Sequence, residues 1–267
     1  MKLTYEDTRA RLLRLYKDSE GSAHIGGGLS ALPAMYVLFD KIFDRRRDYF
    51  VLSKGHVAAS LYCTLFAYGA IDEQTLNTFY SANGTYLGGH VSSDIVPFVP
   101  FATGALGHGT SLAAGLALAK KFKNEEGIIY CVCGDGEWQE GSCWEALEFS
   151  VRHKLDNLHV IIDCNSWQGF GSTKDVMDQD ICKLSAKIRA FGANLVTGVG
   201  EKPENILSLL QTRPSASNET SPFFVLLKTV KGQGMKEYEN TLASHYVSMT
   251  EELYNSMIND VKESTNA

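Results

Sequence analysis

The chain is 267 residues long, 44% hydrophobic and 21% charged, with a formal charge of −6. That length allows one α/β domain with a sizeable core. The acidic balance, spread without long runs, excludes the basic stripe of a nucleic-acid binder. No apolar stretch is long enough to span a membrane. The first residues, MKLTYEDTRARLLRLY, lack the apolar core of a signal peptide, so a cytoplasmic protein is expected.

In chain order, Thr4 with Asp7 makes a capping-box pattern ahead of an amphipathic helix reaching about Asp18. Gly26, Gly27 and Gly28 read as a loop, and residues 30–43 as a helix with Pro33 in its first turn. Arg45-Arg46-Arg47 reads as a solvated turn before a short strand at 49–52, and Ser53-Lys54-Gly55-His56 leads into the next helix. A helix is predicted over 73–81. Residues 82–107, rich in Gly, Ser and Pro, read as a long ordered loop of the functional kind. Residues 109–123 follow as a helix with a small-residue face. Strands at 128–133 and 158–163 flank a helix from about Glu140 to His153. Further strands are predicted at 194–198 and 223–228 with a helix near 203–212, then a long loop at 229–250, a helix after Thr250 and a frayed tail, ESTNA. Strands alternating with helices predict a three-layer αβα domain with a mostly parallel sheet, and one domain over 1–267 is expected.

Six cysteines (Cys63, Cys131, Cys133, Cys143, Cys164, Cys182) form no CxxC pair and read as free thiols of a reducing compartment. Cys131 and Cys133 share one strand face, which argues against zinc.

Gly134-Asp135-Gly136 closes one apolar run, and Asn165 closes the next. This is a strand–helix–strand unit with an oxygen ligand at the carboxyl end of each strand, where open α/β sheets bind ligands. A carboxylate and an amide oxygen suit a hard cation such as Mg2+ bridged to phosphate, and the glycines admit a diphosphate. The plainer reading makes Asp135 a helix cap and Asn165 a turn residue. Five of the seven histidines (His24, His56, His90, His108, His245) lie next to glycines or in long loops, which suggests a polar ligand pocket. His153 and His159 lack that context and read as structural or surface residues.

The chain resembles the N-terminal, thiamine-diphosphate-binding section of transketolase. The likeness rests on Ser22-Ala23-His24-Ile25-Gly26, Leu52-Ser53-Lys54-Gly55-His56, Gly89-His90, Thr103-Gly104-Ala105-Leu106-Gly107-His108-Gly109, the segment from Gly134 to Gly141, Trp144-Glu145-Ala146, Asp163-Cys164-Asn165 and Lys231-Gly232-Gln233-Gly234. It implies the thiamine-diphosphate-binding fold and two cofactors, thiamine diphosphate and Mg2+. It also implies a metal site of Asp135, Asn165 and the Trp167 carbonyl. Gly134, Gly136 and Glu137 would lie by the diphosphate, and Gly104 and Leu106 by the aminopyrimidine. His56 and His245 would flank the diphosphate side. His24, His90 and His245 would meet substrate hydroxyls and move protons as the C2–C3 bond of a ketose breaks. Glu140, with Glu145, would lie at a subunit interface that links two cofactors.

The sequence departs from the family pattern in three places. Trp167 follows the metal-site loop where Leu is common, Ile25 stands where Pro is frequent, and Ser244-His245-Tyr246 replaces the more usual His-Gly. Full transketolases continue beyond this section into domains that carry the glutamate activating the aminopyrimidine and most sugar-phosphate ligands. The resemblance is therefore to the small subunit of a split transketolase. It implies a second subunit, sugar (phosphate) substrates, no nucleic acid or membrane, and an α2β2 hetero-tetramer. Two alternatives remain at this point: a subunit using a 2-oxo acid donor, and a non-catalytic cofactor-binding regulator.

Overall fold

The computed structural model describes residues 3–19, 24–81, 86–212 and 220–266. Ser22 and Ala23 of the first motif, and 82–85 of the long loop, lie outside them.

Helix α1 (Tyr5–Asp18) begins at the expected capping box, with Thr4 and Asp7 satisfying one another's backbone amides. Helix α2 (Ile25–Lys41) corrects the expected loop at Gly26–28. These glycines serve close packing, because a Cβ on Gly28 would overlap the Tyr16 hydroxyl of α1. Pro33 consequently falls mid-helix rather than in the first turn, where it removes one rung of the helix ladder. Strand β1 (Tyr49–Leu52) and helix α3 (Ala58–Ala67) follow. The helix expected over 73–81 is only one turn, α4 (Glu73–Leu76), capped by Asp72. It cannot continue through Tyr80, whose backbone is left-handed at φ 46°.

Helix α5 (His108–Lys123), β2 (Ile129–Gly134), α6 (Gly141–Arg152) and β3 (Leu158–Cys164) lie where the pattern put them. The sequence reading missed four short elements: a hairpin of β4 (Trp167–Gln168) and β5 (Gly171–Ser172), and helices α7 (Thr173–Met177) and α8 (Ile181–Ala190). Their caps were legible, since Ser172 and Asp180 each accept the backbone amide three residues on. Strand β6 (Asn194–Val199), α9 (Pro203–Leu210), β7 (Phe223–Lys228) and α10 (Glu251–Asn266) complete the order. The tail expected to fray is helical through Asn266, and Ala267 lies outside the described residues.

Five strands form one sheet in the order β1-β2-β3-β7-β6, every pairing parallel. Successive strand residues point to opposite faces. Accordingly Phe50, Leu52, Tyr130, Val132, Ile161, Val225 and Leu227 join a core with α1, α2 and α3. Val51, Cys131, Cys133, Val160, Ile162, Phe224 and Leu226 join a second core with α5, α6 and α8. Helices thus cover both faces, the three-layer αβα arrangement expected. All six cysteines are free, Cys182 alone being exposed. Cys131 and Cys133 share one face, their sulfurs 3.6 Å apart. Among the described residues no helix is long and apolar enough to cross a membrane.

Candidate active site

Parallel strands deliver their carboxyl ends to one edge of the sheet, and four neighbouring ends build the site. Strand β1 leads into Lys54 and His56, β2 into Asp135, β3 into Asn165, and β7 into Thr229 and Lys231. One pocket gathers His56, Leu106, Gly134, Asp135, Gly136, Glu137, Asn165, Trp167 and His245 with Lys54, Lys231, Gly27, Gln168 and Gly169. Gly27 lies in the first turn of α2, so a helix N-terminus with its free amides borders the pocket, a setting that favours anions.

Asp135 is buried, and its two carboxylate oxygens accept the amides of Gly136 (2.9 Å) and Ser166 (2.7 Å). Burial, with Asp163 close by, pushes its carboxyl up to about 7. Asn165 donates its amide hydrogens to Asp163 Oδ2 and Ser30 Oγ, both at 3.1 Å, which leaves Oδ1 as its acceptor, met by the Trp167 amide. Asp163 is the anchor of this cluster. Besides Asn165, it accepts Lys54 Nζ at 2.5 Å, Ser30 Oγ at 2.7 Å and the Thr229 hydroxyl. Lys54 and Asp163 are both about 2% exposed, a fully buried ion pair.

The Glu137 side chain turns away from a ligand role. Its carboxylate accepts the Ser53 hydroxyl and the amides of Gly107 (2.9 Å) and Gly134 (3.1 Å). Burial pushes this carboxyl up against the pull of those donors. It ties the β1 end, the β2 end and the turn before α5 into one unit. Gly107 in that turn is left-handed (φ 82°), and a Cβ there would lie 2.6 Å from Glu140 Cβ.

The loop histidines converge. The His24 ring lies 5.0 Å from His56, 4.9 Å from His245 and 6.2 Å from His90, centroid to centroid. Burial lowers the pKa of His24 and holds His56 well below its ordinary value. Burial and then Lys231 pull His245 down to about 3. These three imidazoles are therefore neutral near pH 7. Lys231 Nζ lies 2.8 Å from His245 Nδ1. An ammonium only donates, so Nδ1 accepts and Nε2 carries the hydrogen. Burial and then Lys54 pull Lys231 itself down to about 8.

Of the other expected residues, Gly104 lies off the pocket wall but against His90, where its own Cβ would come 2.9 Å from the ring. Glu140 is exposed at the start of α6 and does not line the pocket, and Glu145 is exposed on the same helix. His108 is exposed at the start of α5. His159 packs between Tyr130 and Phe223, away from the site. Sequence reasoning assigned no role to Lys54, Asp163, Lys231 or Ser30. The usable signal was a charge closing or following an apolar strand. A larger cavity, about 620 Å3, lies beside Lys41, Arg47 and His159 at the opposite edge of the sheet, and none of the motif residues reaches it.

Residues 9–262 match the family model described as "Transketolase, thiamine diphosphate binding domain". The chain belongs to the transketolase family. It is 35% identical to one of the subunits of the apulose-4-phosphate transketolase of Phocaeicola vulgatus, over 98% of this chain and 94% of that one. It is 34% identical to 6-deoxy-6-sulfo-D-fructose transketolase subunit SqwG of a Clostridium species, over 91% and 90%. Among solved structures, the transketolase of Leishmania mexicana superposes with a TM-score of 0.82 at 25% identity, covering 98% of this chain. That of Campylobacter jejuni does so at 0.80 and 29%, also covering 98%. The chain spans 42% and 43% of those two transketolases. The family and the α/β fold with a mostly parallel sheet inferred from the sequence are both borne out.

Proposed function

We propose that this chain, as a single domain over residues 1–267, is the diphosphate-binding subunit of a two-component transketolase. In this reading it moves a two-carbon ketol unit from a ketose to an aldehyde acceptor. The observation that carries the proposal is the cluster of His24, His56, His90 and His245 beside the buried oxygen donors Asp135 and Asn165.

Asp135 and Asn165 supply hard oxygen ligands, which fit Mg2+. Among the described residues no three His, Cys, Asp or Glu side chains group to hold a metal. The cation would therefore rely on Asp135, Asn165, the Trp167 carbonyl and oxygens of the diphosphate. A buried carboxylate whose proton affinity is raised to about 7 also suits a cationic neighbour. Gly134, Gly136, the Glu137 backbone and His56 would border the diphosphate, with the α2 N-terminus and Lys231 offering positive potential. Gly104 and Leu106 would contact the cofactor ring, and Glu140 would act at an interface between subunits. Thiamine diphosphate, when bound, supplies the electron sink for carbon–carbon cleavage. His24 and His90 then take or return protons at substrate hydroxyl oxygens, while His245 donates from Nε2 to a substrate oxygen.

Both relatives span nearly the length of this chain and are named as transketolase subunits, which supports a separate partner chain completing the enzyme. We infer an α2β2 assembly in the cytoplasm, for which the buried free thiols give support. The relatives' names specify a ketose phosphate and a sulfonated ketose, so a ketose with a terminal anionic group is the substrate class inferred. The test is reconstitution with the partner subunit, Mg2+ and thiamine diphosphate, followed by a screen of donors. Ketol transfer from a ketose is expected. Turnover only with 2-oxo acids, or none despite cofactor binding, would overturn the proposal.

A further inference from the structure

Tyr246 is one of few large side chains left open beside the site, at 63% exposure. Its backbone is nonetheless fixed. The amides of Tyr246 and Val247 both donate to the Ala243 carbonyl at 3.1 Å. Ser244, two residues back, is fully buried against the start of α2, so tightly that a Cβ on Gly26 would lie 2.5 Å from its carbonyl oxygen.

This rigid base holds the phenol over the histidines. The Tyr246 ring lies 4.5 Å from the His245 ring and 6.4 Å from that of His24. Gly169, between β4 and β5, lies against the phenol: a Cβ there would be 3.4 Å from Tyr246 Oη and 3.8 Å from His245 Nε2. The Tyr246 hydroxyl makes no hydrogen bond among the described residues, although its neighbours on both sides are held. A phenol placed this way offers an apolar ring face and a free donor to whatever extends outward from the histidines.

We propose that Tyr246 is a specificity-determining residue, contacting the part of the sugar that lies beyond the reacting carbons. Its hydroxyl donates to a distal hydroxyl or anionic group, and its ring, packed beside Gly169, walls one side of the site. Short acceptors do not reach it, whereas sugar-length acceptors do. The inference rests on the transketolase reading above.

The test uses the reconstituted two-subunit enzyme with cofactor and Mg2+, and compares kcat/KM for glycolaldehyde and for a five-carbon aldose phosphate. In Tyr246→Phe the ratio of sugar phosphate to glycolaldehyde is expected to fall about fivefold, the loss of one hydrogen bond. In Tyr246→Gly the ratio is expected to fall further, and the space vacated by the ring is expected to admit branched acceptors that the parent enzyme rejects. A parent enzyme that turns over but whose ratio is unmoved in both variants overturns the role of Tyr246 alone. Equal loss with both acceptors does the same, since it indicates a general effect on the site. A parent enzyme with no turnover on any ketose overturns the transketolase reading and this inference with it.

Discussion

Replacing Asp163 with Asn tests whether the buried ion pair is the keystone of the site. The substitution keeps shape. Asp163 Oδ2 receives Lys54, Ser30 and Asn165, and Oδ1 receives Thr229. An Asn oxygen can take the Oδ2 position, while its NH2 faces the Thr229 hydroxyl, which can accept. What is lost is the charge opposite Lys54, whose side chain is 2% exposed. Removing one partner of such a pair strands a charge and costs about 3–5 kcal/mol. At about 2–4 °C per kcal/mol for a domain of comparable size, the midpoint of unfolding should drop by about 6–20 °C. Thermal unfolding of the chain measures the shift, and urea denaturation measures the free-energy loss. Adding Lys54→Met to Asp163→Asn removes the stranded charge, and more than half of the loss should return. A single-variant loss below about 1 kcal/mol, or a double variant less stable than the single, would refute the reasoning.

Asp135→Ala should lower the Mg2+-dependent affinity for thiamine diphosphate at least tenfold by calorimetry on the two-subunit enzyme, and unchanged affinity would remove Asp135 from the proposed metal site. Gly107→Ala should cost about 1–2 kcal/mol in thermal or urea unfolding from its left-handed backbone alone, with the clash against Glu140 adding to it. Lys231 predicts a pH effect. Burial lowers it to about 8, against about 10.4 in the unfolded chain. Below pH 8 both states hold the proton, and between about 8 and 10.4 the unfolded state holds more, so this group makes stability rise with pH across that window. Denaturation midpoints at pH 7.5 and 9.5 should show this contribution in the parent and lack it in Lys231→Met.

The sequence made the strands and most helices legible because their periodicity is strong. Residues 129–134, 158–164 and 223–228 are apolar on both faces, as a doubly covered parallel strand must be. It misled at Gly26–28, where glycine signals tight helix packing against Tyr16 and not a turn. That Asp135 and Asn165 meet in one pocket was legible because a carboxylate and an amide each close a strand. Lys54 and Asp163 went unassigned because an ion pair separated by 109 residues leaves no local pattern. The meeting of His24 with His245 was expected from resemblance alone, since only the assembled sheet brings residues so far apart together.

Strand β7 is the last strand made, yet it lies inside the sheet between β3 and β6. During synthesis β6 appears before the strand that will pair with it, and the apolar edge of β3 stays open until residues 223–228 emerge. The chain must therefore shield an unpaired edge while residues 165–222 are made. The pocket, which needs Lys231 and His245, closes only after that insertion, so cofactor binding reports on a fully folded chain.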